Sequence, residues 1–280
     1  MCRLLMVYVV SMLMCLSSPL FAHEQQKHAL VMGILPYLSS SELIRVWDPF
    51  VRYLERDTGH KIQIASAPDF DTYIKRAATG QYDIYLTAPH FALLAEEKHN
   101  YRRIARLKRE LYGVIVVGRN STIKRFADMG GKVLATPDKL AVITMLGEAT
   151  LKEYGQHSNK DITVKYTPSH NNALLSVIRG TADAAVSSAA VYERLSPSKK
   201  KRLRLLGKTQ TVPHMMFLAG PSLSDKTYQT ISSSILQFPS KAVGKAFFEM
   251  SGYGDITQIT NHDMQRLHMI MPILDARVSE

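Results

Sequence analysis

The polar residues able to do chemistry in this chain collect where apolar runs end. The run Ala29 to Pro36, ALVMGILP, is followed at once by Tyr37, Leu38 and Ser39-Ser40-Ser41-Glu42. A continuous apolar run of this kind reads as a strand buried on both faces, and Ser39 with Glu42 three residues on forms a capping box that opens a helix. Free backbone N–H groups and a positive dipole end at such a helix start suit an anion. In open α/β sheets ligands sit outside the carboxyl ends of the strands. The chemistry this junction offers is capture of a small anion.

Catalytic signatures are missing. The sequence has no G-x-S-x-G elbow, no P-loop and no G-x-G-x-x-G opening a helix. Its ten histidines form no H-E-x-x-H, and His262 and His268 stand six apart, off the i, i+4 spacing of a helical zinc site. No metal and no cofactor is expected. The catalytic alternative is a hydrolase set built in space from Ser169 or Ser187 with His170 and Asp183, although adjacent Ser169 and His170 on one helix point apart.

Export is written at the amino end. Arg3 precedes the apolar run Leu4 to Leu16, and Ser17-Ser18-Pro19-Leu20-Phe21-Ala22 leads into polar His23-Glu24-Gln25. This pattern predicts a secretory signal peptide cleaved after Ala22, with the periplasm as destination. Leu20 is large for its place before the cut, so a retained anchor is the alternative. Cys15 lacks the small preceding residues of a lipoprotein acceptor. Cys2 and Cys15 both lie in this segment, so the mature chain has no disulfide and depends on a large core. The net charge of +11 suits nucleic acid, an anionic membrane or an anionic small ligand, and export argues against the first. Lys199-Lys200-Lys201-Arg202 reads as a solvated loop.

Strands and helices alternate along the chain. A helix from Ser40 to Asp57 carries Leu43, Val46, Trp47, Phe50, Val51 and Leu54 on one face, and Gly59 ends it. Strands follow at Lys61 to Ala65 and Tyr82 to Leu86, with helices from Asp69 to Ala78 and Ala88 to Lys98. A second series places strands at Arg103 to Leu107, Leu111 to Gly118, Lys132 to Thr136, Ile162 to Tyr166 and Ala182 to Ser187. Its helices fall at Ile123 to Met129, Leu140 to Tyr154 and Asn171 to Arg179. Extended segments at Arg202 to Gly207 and Val212 to Ala219 precede helices Ser224 to Phe238, Ser240 to Met250 and His262 to Leu274. This alternation predicts two α/β units with mixed sheets flanked by helices. Paired crossings near Leu107 to Gly113 and Gly207 to Met215 would form a two-strand hinge beside a cleft. The expected division is a signal peptide at 1–22, a first lobe at 23–111, a second lobe at 112–212 and a return to the first lobe at 213–280.

The order of Gly33-Ile34-Leu35-Pro36-Tyr37-Leu38-Ser39, Ala67-Pro68-Asp69-Phe70-Asp71, Gly80-Gln81-Tyr82-Asp83-Ile84, Ala88-Pro89-His90, Ser169-His170-Asn171 and Gly180-Thr181-Ala182-Asp183-Ala184 resembles one family. It is that of the periplasmic substrate-binding proteins of phosphonate, phosphite and phosphate ABC importers, which have the type II periplasmic binding fold. The resemblance runs from about Leu30 to Ala219. It implies an anion held between lobes, an importer permease as partner, and ligand roles for Tyr37, His170 and Asp183. The family's Ser-Thr-Ser-Gly cradle is replaced by Leu140-Ala141-Val142-Ile143, and its third-strand aromatic by Thr87. Thr87, His90, Thr136 and Thr144 are the candidate substitutes, with Ser187 at a strand end beside them. A protonated His170 would donate to an anion and titrate near neutral pH. The rival binding function is a sensor component or a binder of another small molecule.

Overall fold

The computed structural model of the protein describes residues 29–278, so the expected signal peptide lies outside the described residues. The chain runs through β1 (Leu30–Ile34), α1 (Ser40–Thr58), β2 (Ile62–Ala65), α2 (Phe70–Ala78), β3 (Ile84–Thr87), α3 (Pro89–His99) and β4 (Arg102–Leu107). It then crosses to β5 (Glu110–Gly118), β6 (Val133–Thr136), α4 (Val142–Glu153), β7 (Thr163–Tyr166), α5 (His170–Ile178), β8 (Ala184–Ser188), α6 (Ala189–Glu193), α7 (Pro197–Lys200) and β9 (Leu203–Pro213). It returns through β10 (Met216–Ala219), α8 (Asp225–Gln237), α9 (Ala242–Ser251), β11 (Ile256–Thr257), α10 (Asn261–Gln265) and α11 (Met271–Val278).

Two mixed sheets result, ordered β11-β4-β10-β3-β1-β2 and β7-β6-β8-β5-β9. In each, the strand that has just arrived from the other lobe is inserted antiparallel: β10 between β3 and β4, β5 between β8 and β9. Neither sheet is therefore complete without a crossing. The crossings themselves are only Lys108-Arg109 and His214-Met215, and they are tied by the Leu107 amide donating to the Met215 carbonyl at 2.9 Å.

The same strand-end bracket is built twice. The Asp83 carboxylate accepts the Val31 amide at 2.8 Å while the Asp83 amide donates to the Val31 carbonyl, and Asp183 repeats both bonds with Val133. Asp69 and Ser169 likewise cap α2 and α5. Glu42 and Ser39 form the capping box of α1.

The core is aromatic in the first lobe, where Trp47, Phe50, Phe217, Phe238 and Phe247 meet with ring centroids 4.9–6.4 Å apart. It runs on without a break into the second lobe, joining Ile34 and Leu35 to Leu140, Ile143 and Val212. The cleft is closed.

Four local readings change. The extended segments at Arg202 to Gly207 and from Val212 belong to one strand, β9, whose middle is polar because it is the sheet's edge. The last expected helix breaks into α10 and α11, with Pro272 in the first turn of α11, where its missing N–H is harmless. The helix expected from Ile123 is one 3₁₀ turn, Phe126–Met129. The Lys199-Lys200-Lys201-Arg202 run is partly helical, and Arg202 donates to the Ile178 carbonyl.

A Cβ at Gly33 would overlap the buried Tyr82 ring. Gly33→Ala should therefore cost about 1–3 kcal/mol, read as a lower urea midpoint.

Candidate functional site

The carboxyl ends of the strands face each other across the closed cleft, and α3 and α4 meet there. His90, fully buried in the first turn of α3, brings Nε2 to 2.9 Å from the Leu140 carbonyl just ahead of α4. Nε2 must carry the proton, because a carbonyl only accepts. That leaves Nδ1 as a buried acceptor without a partner. Thr87 Oγ1, at the end of β3, is also buried and unbonded, beside the Tyr73 and Tyr85 hydroxyls but without hydrogen-bond geometry to either.

The start of α4 is apolar and closed off. Ala141 provides no side-chain cap, and Leu140, Val142 and Ile143 are buried. The Asp138 carboxylate sits at this end, accepting the Leu140 amide at 2.7 Å. Thr136 and Thr144 spend their hydroxyls on the same turn: Thr136 donates to the Pro137 carbonyl at 3.0 Å and Thr144 to that of Asp138 at 2.9 Å. Ser187 is buried with its hydroxyl 3.5 Å from the Ser188 carbonyl.

Tyr37 is half-buried at the other side of the first lobe's rim. Its hydroxyl bonds that of Tyr253 at 2.5 Å and accepts from Trp47 Nε1 at 3.1 Å. Tyr253 stacks on Trp47, 5.7 Å between centroids and 14° between planes. The His214 ring, in the second crossing, lies 5.9 Å from that of Tyr253. Burial pushes the phenols of both tyrosines up, so they stay protonated. Tyr253, Trp47 and His214 were invisible as site residues because nothing in the sequence ties these separate stretches together.

His170 opens α5 with Nδ1 accepting the Ser188 amide at 3.2 Å. A ring nitrogen that accepts an amide cannot be protonated, and burial lowers the pKa from 6.5 to about 4. The imidazole is thus neutral at neutral pH, contrary to the expectation of a protonated donor, and only Nε2–H remains to give. Asp183, exposed, holds the Val133 amide in the strand-end bracket and forms no ion pair with Arg179 among the described residues. Of the eight expected residues, the structure brings His90, Thr136 and Thr144 to the interface around α4, while Thr87 ends β3 within the first lobe, beside the Tyr73 and Tyr85 hydroxyls. Tyr37 belongs to the Tyr253 cluster, His170 and Ser187 to the end of β8, and Asp183 to the opposite end of that strand.

Two lobes, each completed by a strand from a paired crossing, with the carboxyl ends of their strands between them, define the type II periplasmic-binding-protein fold. The sequence profile of the ABC transporter, phosphonate, periplasmic substrate-binding protein family matches residues 32–264, and the chain belongs to that family. It is 24% identical over 252 residues to the phosphonates-binding periplasmic protein of Escherichia coli, covering 85% of this chain and 74% of that one. It is 23% identical over 271 residues to the phosphate-import protein PhnD of Mycolicibacterium smegmatis, covering 88% and 82%. The structure of PhnD1 from Prochlorococcus marinus in complex with methylphosphonate superposes with a TM-score of 0.76 at 16% identity, over 88% of this chain and 98% of that one.

His90 and His214 share the lowered pKa of His170, each to about 4 through burial. The folded values lie below the unfolded value of 6.5, so the unfolded chain takes up protons first as pH falls. Stability should be full above pH 6.5 and drain away down to about pH 4. His170→Gln should make that slope shallower in urea titrations across the window. Asp183→Ala should lower the urea midpoint and leave the affinity for any cleft ligand unchanged.

Proposed function

We propose that this protein captures a small oxyanion of the phosphonate, phosphite or phosphate class between its lobes and hands it to the membrane permease of an ABC importer, without making or breaking bonds. The observation that carries this reading is the buried, unpartnered Nδ1 of His90 where the lobes meet, with the unbonded Thr87 Oγ1 at the carboxyl end of β3. A buried polar group left unpaired costs about 1–3 kcal/mol, and a ligand that pairs it recovers that cost. Thr87 can donate to a phosphonate oxygen. His90 Nδ1 can accept only from a donor, which the P–OH of a monoprotonated phosphonate supplies.

Capture requires the hinge at Lys108-Arg109 and His214-Met215 to open, because Leu140 and His90 are buried in the closed state. The apparent affinity is then the intrinsic one multiplied by the open fraction. Among the described residues no helix is long and apolar enough to cross a membrane. The periplasmic relative from Escherichia coli and the amino-terminal pattern support a periplasmic protein released by cleavage after Ala22.

Thermal melting of the mature chain against methylphosphonate, phosphite, phosphate, an alkylsulfonate and uncharged solutes tests the assignment. A phosphonate-class ligand at 100 times its dissociation constant should add about 2.7 kcal/mol of stability, and Thr87→Val should weaken its binding. Stabilisation by an uncharged solute alone would overturn the oxyanion reading in favour of another small-molecule binder.

A further inference from the structure

A cationic recess lies at the mouth of the hinge, away from Thr87, His90 and Leu140. The cavity, about 350 Å³, is lined by Lys108 and Arg109 of the first crossing, Phe248 of α9, and Gly252, Gly254 and Asp255 of the loop that follows. Arg109 Nη1 donates to the Gly252 carbonyl at 2.7 Å. A second guanidinium reaches the same glycine from the other lobe: a Cβ placed on Gly252 would lie 3.9 Å from Arg109 Nη1 and 3.7 Å from Arg194 Nη2. Arg194 follows α6 and is exposed, and among the described residues no carboxylate pairs with it or with Arg109. Asp255, the one carboxylate lining the recess, turns Oδ1 to the Ile256 amide.

Two guanidinium groups brought to one glycine, with Lys108 in the same lining, repel one another unless an anion lies between. Arg is the side chain whose fork matches a phosphate-type oxyanion with paired N–H donors. The helix start that would otherwise receive such an anion is held by the Asp138 carboxylate. Tyr253, whose hydroxyl meets Tyr37, follows Gly252 directly, which joins the recess to the rim of the cleft.

We infer that Arg109, Arg194 and Lys108 form an anion site at the hinge mouth that takes a tetrahedral oxyanion, phosphate or a phosphonate, with any carbon substituent lying on Phe248. An oxyanion there bridges a second-lobe arginine to the hinge and the α9 loop, so it favours the closed state while remaining reachable from solvent. The inference rests on the oxyanion-binding reading, but on residues that reading does not use.

Isothermal titration of the mature protein with inorganic phosphate and with methylphosphonate, at low and at physiological salt, tests it. Arg194→Gln and Arg109→Gln should each lower phosphate affinity at least tenfold and flatten its salt dependence. Arg194→Lys, which keeps the charge and loses the fork, should fall between. Lys226→Gln on α8 removes the same charge beside Asp225, whose carboxylate takes Arg102 at the opposite end of β4 from Lys108, and should leave affinity within about twofold at physiological salt, where the Debye length is about 8 Å. Melting curves without ligand check that the variants are folded. Unchanged phosphate affinity and salt slope in both arginine variants would overturn the hinge site even if methylphosphonate still bound in the cleft. A wild-type protein that binds neither anion would overturn both readings.

Discussion

The organisation of this cleft depends on one hydrogen bond: a buried imidazole of the first lobe, His90, donating across the gap to the Leu140 carbonyl of the second. Around it, Leu35, Leu140 and Ile143 close into a core shared by both lobes. An imidazole in that position can serve a carbonyl only when neutral, and full burial keeps it neutral by lowering its pKa to about 4. Geometry and electrostatics thus support each other, since the bond fixes the tautomer and the burial fixes the charge.

The same bond shapes recognition. A carbonyl, a carboxylate from Asp138 and apolar side chains occupy the start of α4. An anion brought to that helix would meet acceptors and hydrocarbon instead of hydroxyl donors. What remains for a polar guest is the hydroxyl of Thr87 and the free Nδ1 of His90 inside, and the guanidinium groups at the hinge mouth outside. The lobes are also strapped together, because Nη2 of the half-buried Arg277 of α11 donates to both carboxylate oxygens of Glu148 of α4 at 2.7 and 2.8 Å. The C-terminal helices therefore do not belong to the first lobe alone, and opening must either carry this strap along or break it.

Much of the fold was legible in the sequence, for reasons that can be named. The Ser39-Glu42 capping box and Gly59, with its positive φ, bound α1, and apolar runs bounded by polar turns marked the buried parallel strands. The matching Gly80–Asp83 and Gly180–Asp183 stretches each carry the bracket that ties a third strand to a first, and they share only the glycine and the aspartate at their ends. The polar middle of β9 hid an edge strand, and the short turn at residues 266–270 hid the break between α10 and α11. The candidate site was less legible. That Thr136 and Thr144 would turn inward to the Pro137 and Asp138 carbonyls, or that Arg194 and Arg109 would converge on Gly252, depends on contacts between segments far apart in the chain. Sequence spacing says nothing about such contacts.

The most direct test of the closed, neutral-imidazole cleft is the ¹⁵N chemical shifts of the His90 ring, followed by NMR from pH 7.5 to 5 without ligand. The closed cleft predicts an Nε2–H tautomer whose shifts hold from pH 7.5 to 6 and have moved only slightly by pH 5. A ring that titrates near the ordinary imidazole value, or one protonated on Nδ1, would mean that water reaches His90 and that its bond to Leu140 is not formed in solution.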